Sequence, residues 1–171
     1  MQLLELNCKS ENIENLKDIY YDSIPDNERI EFRDMIKLSF PNSRLLGVFD
    51  KKMLVGFTYL CVCNDFVYIV YLAIQKSKRN KGLGSKVLKK LENIYKNKSF
   101  VLCVEKPKNN NDISSRRIEF YKRNGFLISG LEFNYYGVDF QVMFNGEFNK
   151  VEFTNLLLLC FPECSDLINI S

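Results

Sequence analysis

FVYIVYLAIQKSKRNKGLGSKVLKKLENIY, residues 66–95, decides how this chain is read. Its first nine residues are an unbroken apolar run, the pattern of a strand buried on both faces. The charged stretch Gln75 to Lys81 interrupts it, Gly82 and Gly84 follow, and beyond them Leu83, Val87, Leu88, Leu91, Ile94 and Tyr95 recur at the spacing of one helix face. A buried strand, a basic turn, two glycines and an amphipathic helix, in that order, leave the first helical amides bare. That is a physical means of holding phosphate.

Charge supports the same reading. Residues 76–98 hold nine Lys/Arg against one acid, Glu92, a local balance of +8, while the remaining 15 basic and 20 acidic residues of the chain carry −5. The net +3 therefore conceals one strongly cationic face on a mildly acidic body. An anionic ligand is expected there.

A length of 171 residues with 46% hydrophobic residues suits one domain, 1–171, with a sizeable core, and no Pro/Gly/Ser-rich linker divides it. The opening MQLLELNCKSENIENL has neither a cationic n-region nor an apolar h-region, and the late run LLLLCF at 156–161 falls far short of the roughly 20 residues of a bilayer crossing. The expectation is a cytoplasmic protein without a membrane partner.

Cysteines stand at 8, 61, 63, 103, 160 and 164, with no CxxC pair and four of them inside apolar runs, where a thiol behaves as a small core residue. Cys61 and Cys63 lie on one face of a strand, and no histidine exists anywhere to complete a tetrahedral site, so no metal is expected. The lack of histidine also removes Ser-His and Cys-His nucleophile pairs. Acid–base chemistry is left to Tyr, Glu, Asp, Lys, Cys or water.

Around the deciding stretch, residues 2–7 read as a first strand and a helix runs from an N-cap at Ser10 through Ile13, Leu16, Ile19 and Tyr20 to the break at Ile24-Pro25-Asp26. A second helix is expected from near Asp26 to Pro41. Runs at 44–50, 53–63 and 66–74 form an antiparallel meander with turns at Asp50-Lys51-Lys52 and Asn64-Asp65. A strand at Phe100–Val104, a helix capped by Asp112 or Ser114 and stopped at Gly125, a hairpin of 126–133 with 138–144, and a helix from about Phe148 to Phe161 follow. The fold class is α+β, with three α/β/α layers and a mixed, mostly antiparallel central sheet of about six to seven strands.

Arg79-Asn80-Lys81-Gly82-Leu83-Gly84, followed by SKVLKKLE, resembles the R/Q-x-x-G-x-G/A signature of the GNAT superfamily of N-acetyltransferases. Residues 117–126, RIEFYKRNGF, resemble that superfamily's later FYxxxGF motif, and the strand expected between the two motifs is present at Phe100–Val104. With the meander and the closing hairpin, the resemblance covers about the whole chain.

The resemblance implies a GNAT-type acyl-CoA cleft and acetyl-CoA as cosubstrate. The pyrophosphate would rest on the amides of Gly82, Leu83, Gly84 and Ser85, helped by Arg79, Asn80 and Lys81, and the pantetheine arm would pair with the backbone around Leu72, Ala73 and Ile74. Tyr121 matches the tyrosine that protonates the departing thiolate, a role suited to a phenol whose reference pKa of about 10 lies above the roughly 8.5 of a thiol. Many relatives carry a glutamate on the strand matching Phe100–Glu105. Cys103 takes one such position here, and Glu105, two residues on, is the nearest carboxylate and the candidate base. Ile24-Pro25-Asp26-Asn27-Glu28-Arg29 resembles an SFPxxER-like segment of some bacterial members, making Glu28 and Arg29 candidate acceptor contacts.

The reading is an N-acetyltransferase that passes acetyl directly to a primary amine, either a small molecule or a peptide N-terminus, as monomer or homodimer and without nucleic acid. Two other readings stay open at this level. One is an acyl-CoA sensor without turnover; the other is a nucleic-acid-binding domain using the 76–98 face.

Overall fold

The computed structural model describes residues 1–109 and 112–162, and Cys164 lies outside the described residues. Among them are seven strands and five α-helices, in keeping with the α+β class and the strand number expected. The chain divides into two compact units, Met1–Lys98 and Ser99–Ser171.

In the first unit, β1 (Gln2–Glu5), β2 (Ser43–Asp50), β3 (Met53–Val62) and β4 (Phe66–Ile74) pair in sequence order, each antiparallel to the next. Strand alternation sends Leu45, Phe49, Phe57, Tyr59, Tyr71 and Ala73 to one face. There they form a core with Leu16, Ile19 and Tyr20 of α1 (Ile13–Ser23) and Phe32 and Met35 of α2 (Phe32–Ile36). Helix α3 (Leu83–Ile94) packs on β4 and buries Leu83, Val87, Leu88 and Leu91. The β2–β3 hairpin closes through Lys51 and Lys52, both at positive φ, and Lys98 Nζ donates to the carbonyls of Cys63 and Asn64 in the turn between β3 and β4.

Two helix expectations change. Ser10 does not cap α1; its hydroxyl accepts from the Asn7 amide at 2.9 Å, and the helix starts at Ile13 behind Asn12. The helix expected from Asp26 breaks into a 3-10 turn, Asp26–Glu28, and the five-residue α2, with Arg29 and Glu31 extended between them. Tertiary hydrogen bonds explain the break: the Ile30 amide donates to Tyr71 Oη at 3.0 Å, while its carbonyl accepts from Tyr20 Oη at 2.6 Å. Backbone groups needed by a continuous helix are thereby held in place by side chains.

In the second unit, β7 (Val138–Asn145) lies between β5 (Ser99–Glu105) and β6 (Leu127–Tyr135), antiparallel to both. Helix α4 (Ile113–Arg123) packs on β5, and α5 (Lys150–Cys160) buries Phe153, Leu156, Leu157 and Cys160. Asp112 caps α4: its carboxylate accepts from the amides of Ser115 at 2.7 Å and Lys108 at 2.8 Å. Those donors, the Ser115 amide foremost, hold its pKa below the ordinary aspartate value.

Candidate functional site

Strand β4 ends at Ile74, and the chain turns through a 3-10 segment, Lys76–Lys78, into the N-terminus of α3. Ala73 and Ile74 are buried and Leu72 is half-buried. A register shift in the β3–β4 ladder, where Tyr59 faces Tyr71 but Leu60 faces Ile69, leaves Val70 as an extra residue on β4. Such a bulge bends a strand and sharpens its twist, here two residues before Leu72. Nothing in the uniform run FVYIVYLAI announces it.

The β4–α3 loop is held onto β4 and α1 by its own basic side chains. Arg79 Nε donates to the Ile74 carbonyl at 2.8 Å and its other guanidinium nitrogen donates to Ser23 Oγ at 3.1 Å. Lys76 Nζ lies 2.6 Å from Asp22 of α1. Arg79, expected from the sequence as a pyrophosphate contact, folds the loop back onto the end of its own strand. Asn80 (φ 60°) and Gly82 (φ 70°) both adopt the left-handed region, and Gly82 is the N-cap of α3.

No side chain caps α3, and its first turn contains no acid. The amides of Leu83, Gly84 and Ser85 therefore lack an acceptor within the helix, since only from Lys86, whose amide donates to the Gly82 carbonyl at 3.1 Å, does the ladder begin. A Cβ built on Gly82 would meet nothing within 4 Å, so nothing packs against that side of the helix cap. Bare amides, the positive end of the helix dipole and neighbouring Lys81 together favour an oxygen-rich anion.

The acceptor candidates Glu28 and Arg29 lie on the 3-10 turn and just after it. Arg29 is turned inward on its own segment: Nε donates to the Ile24 carbonyl at 2.7 Å, another nitrogen donates to the Tyr21 carbonyl, and a third pairs with Asp26. Its guanidinium also lies over the Tyr21 ring, 5.0 Å from the centroid. The Glu28 carbonyl accepts from Tyr71 Oη at 2.6 Å. Sequence reasoning missed Tyr71, which joins β4 to the 28–30 segment; burial pushes its pKa, and that of Tyr20, upward. An apolar run containing a tyrosine offers no local sign of such a role.

In the second unit, Tyr121 is half-buried on α4, with ring centroids 5.1 Å from Phe120 and 5.5 Å from Phe126 in edge-to-face arrangements. Glu105, half-buried at the end of β5, accepts a long hydrogen bond of 3.4 Å from Ser114 Oγ at the start of α4. Cys103 lies on the same strand, two residues earlier. No group of three or more Cys, Asp or Glu suited to a metal occurs among the described residues. Nor is any described helix long and apolar enough to cross a membrane.

Comparison with known proteins adds a family match, one relative and two solved structures. Residues 10–126 match the model of the Acetyltransferase (GNAT) family. YjbC of Bacillus subtilis (strain 168), provisionally named an acetyltransferase, is 35% identical over 63 residues, a match that spans 37% of this chain and only 32% of YjbC. Among solved structures, a Bacteroides thetaiotaomicron protein assigned to the GNAT family superposes with a TM-score of 0.81 at 20% identity, covering 94% of this chain and 98% of that one. An aminoglycoside 6'-N-acetyltransferase complexed with coenzyme A gives a TM-score of 0.65 at 16% identity, covering 85% of this chain and 96% of its own.

Proposed function

This chain belongs to the acetyltransferase (GNAT) family, and from that premise we propose that it transfers the acetyl group of acetyl-CoA to a primary amine by direct attack in a ternary complex. The observation that carries the reading is the uncapped, acid-free N-terminus of α3 behind the open left-handed Gly82, directly after the buried strand β4. Gly82, Leu83, Gly84 and Ser85 hold the pyrophosphate through their amides, with Asn80, Lys81 and Arg79 supplying charge and loop shape. The backbone at Leu72, Ala73 and Ile74 pairs with the pantetheine arm. The solved relative that carries coenzyme A supports this cosubstrate.

In the proposed reaction the amine nitrogen donates its lone pair to the thioester carbonyl carbon, the carbon–sulfur bond breaks, and an amide and coenzyme A form. Tyr121 gives its proton to the departing thiolate, and Glu105, directly or through water, takes the proton the ammonium must lose before attack. The second proton, shed by the nitrogen as the amide forms, passes through solvent to restore the Tyr121 phenol. Main-chain amides of β4 stabilise the oxyanion as it develops. No acyl-enzyme is required, so the cysteines are bystanders. The acceptor is a small-molecule amine or a peptide N-terminus contacted near Glu28 and Arg29, and the protein acts in the cytoplasm.

Thermal unfolding with and without acetyl-CoA tests the first half of this proposal. Ligand at one hundred times its Kd adds about 2.7 kcal/mol to stability, a plain rise in Tm, and the absence of a rise with any acyl-CoA rejects the reading. Release of free thiol with a panel of amines tests the second half. Binding without thiol release above the hydrolysis background would convert the proposal into that of an acyl-CoA sensor.

A further inference from the structure

On one flank of α3 lies a groove of about 570 Å³ lined by Met1, Asp50, Lys78, Lys81, Leu83, Lys86, Lys89 and Lys90. Five of these eight residues are lysines, and Asp50 is the one acid among them. Lys89 is paired with Glu92 at 3.1 Å; Asp50 lies 4.0 Å from the Met1 amine. Lysines on successive turns of a helix repel one another when nothing anionic lies between them. An anion bound between them would relieve that repulsion.

The groove is set apart from the stretch of β4 assigned to the cosubstrate. Met1 precedes β1, and Asp50 ends β2, which is separated from β4 by β3. At the usual interstrand spacing that places this wall about 10 Å across the sheet from β4. Lys81 and Leu83 are shared with the loop, but Lys86, Lys89 and Lys90 extend the cationic surface along the helix, away from its N-terminal amides.

We infer that this groove is a second anion site, for a small molecule bearing two or more phosphate groups. The volume is that of a small-ligand pocket. No aromatic residue lines it, so it offers no platform for stacking bases, as single-stranded nucleic acid would require. A long duplex would need cationic charge spread along its track, whereas here the excess is confined to residues 76–98 and the rest of the chain is net negative. Lysine ammonium groups, flexible point charges, suit clustered phosphates of varied geometry. This inference needs none of the acetyl-transfer chemistry, although Lys81 and Leu83 line both sites.

Isothermal titration of inorganic tripolyphosphate into protein saturated with coenzyme A tests it. The expected result is binding at one equivalent beside bound coenzyme A, weakened at least tenfold in a Lys86→Glu, Lys90→Glu double variant whose Tm and coenzyme A affinity are unchanged. Absence of binding, one-for-one displacement of coenzyme A, or unaltered tripolyphosphate affinity in the double variant overturns the inference, as does tighter binding of a 20-base-pair duplex at the same ionic strength. Repeating the titration without coenzyme A, on both proteins, reads the α3 N-terminus and the groove together, and only the binding lost in the double variant belongs to the groove. A failure of the cosubstrate proposal is thereby distinguished from a failure of this one.

Discussion

Tyr71 Oη donates to the Glu28 carbonyl at 2.6 Å, joining the strand assigned to the pantetheine arm to the segment assigned to the acceptor, 43 residues away in sequence. The same oxygen accepts from the Ile30 amide at 3.0 Å. Tyr71→Phe leaves both partners without the phenol, and the penalty for such orphaned groups is about 1–3 kcal/mol. Denaturant unfolding should register that loss. If the segment meets the acceptor, KM for the amine rises while the acetyl-CoA melting shift stays as in the parent; an unchanged KM would detach residues 28–30 from acceptor binding.

Alkaline pH should unfold the protein through its buried phenols. Desolvation is the largest cause raising Tyr20, whose pKa is pushed up from 10.0 to about 12. Since the neutral phenol is favoured in the folded state, this contribution is fully present below pH 10 and is lost as pH rises toward 12. Tyr71 is raised for the same first cause and acts in the same direction. A Tm series across that window should fall, and Tyr20→Phe should flatten the fall; parallel curves for the two proteins would sink the assignment.

Two glycines fail for opposite reasons when given a methyl group. At Gly56 a Cβ would overlap the Ala73 carbonyl oxygen and lie 2.8 Å from Ile74 Cδ1, so Gly56→Ala displaces the end of β4 at a cost of roughly 1–3 kcal/mol. At Gly82 no atom lies within 4 Å, and the cost is that of holding alanine at φ 70°, about 1–2 kcal/mol. Both variants should bind acetyl-CoA more weakly, the first with a clearly lowered Tm and the second with a smaller loss. Parent-like affinity in both would remove the β4–α3 junction from the cosubstrate site.

Tyr121→Phe keeps the ring that packs on Phe120 and Phe126 and removes only the hydroxyl. The acetyl-CoA melting shift should persist while kcat falls on the order of 10²-fold or more, the range of general acid catalysis. Full activity would show that the thiolate takes its proton elsewhere.

How far the sequence could be read depended on where the relevant interactions lie. The strand 66–74 was legible to the residue because its apolar run is bounded by Asp65 and Gln75, and α3 because Leu83, Val87, Leu88 and Leu91 keep one helical stripe. Asp112 was legible as a cap candidate because the amide it accepts from belongs to Ser115, three residues on. The stretch after Asp26 was misread as one helix because its local pattern is helical while the groups that interrupt it, the phenols of Tyr20 and Tyr71, come from α1 and β4. Arg29 was legible as a charge near a motif, but not as one turned onto the Ile24 and Tyr21 carbonyls.

The sequence by itself determined the order of elements, the cationic stretch 76–98 and the glycine at the head of α3, since periodicity, charge and backbone permissiveness are properties of neighbouring residues. Tertiary structure alone decided that Val70 is extruded as a bulge in β4, that Tyr71 fastens Glu28 and Ile30, and that Lys86, Lys89 and Lys90 share a groove with Asp50. Each of these depends on strand register or on the meeting of residues far apart along the chain. Such meetings come with closure of the fold, where packing and desolvation outweigh local preference.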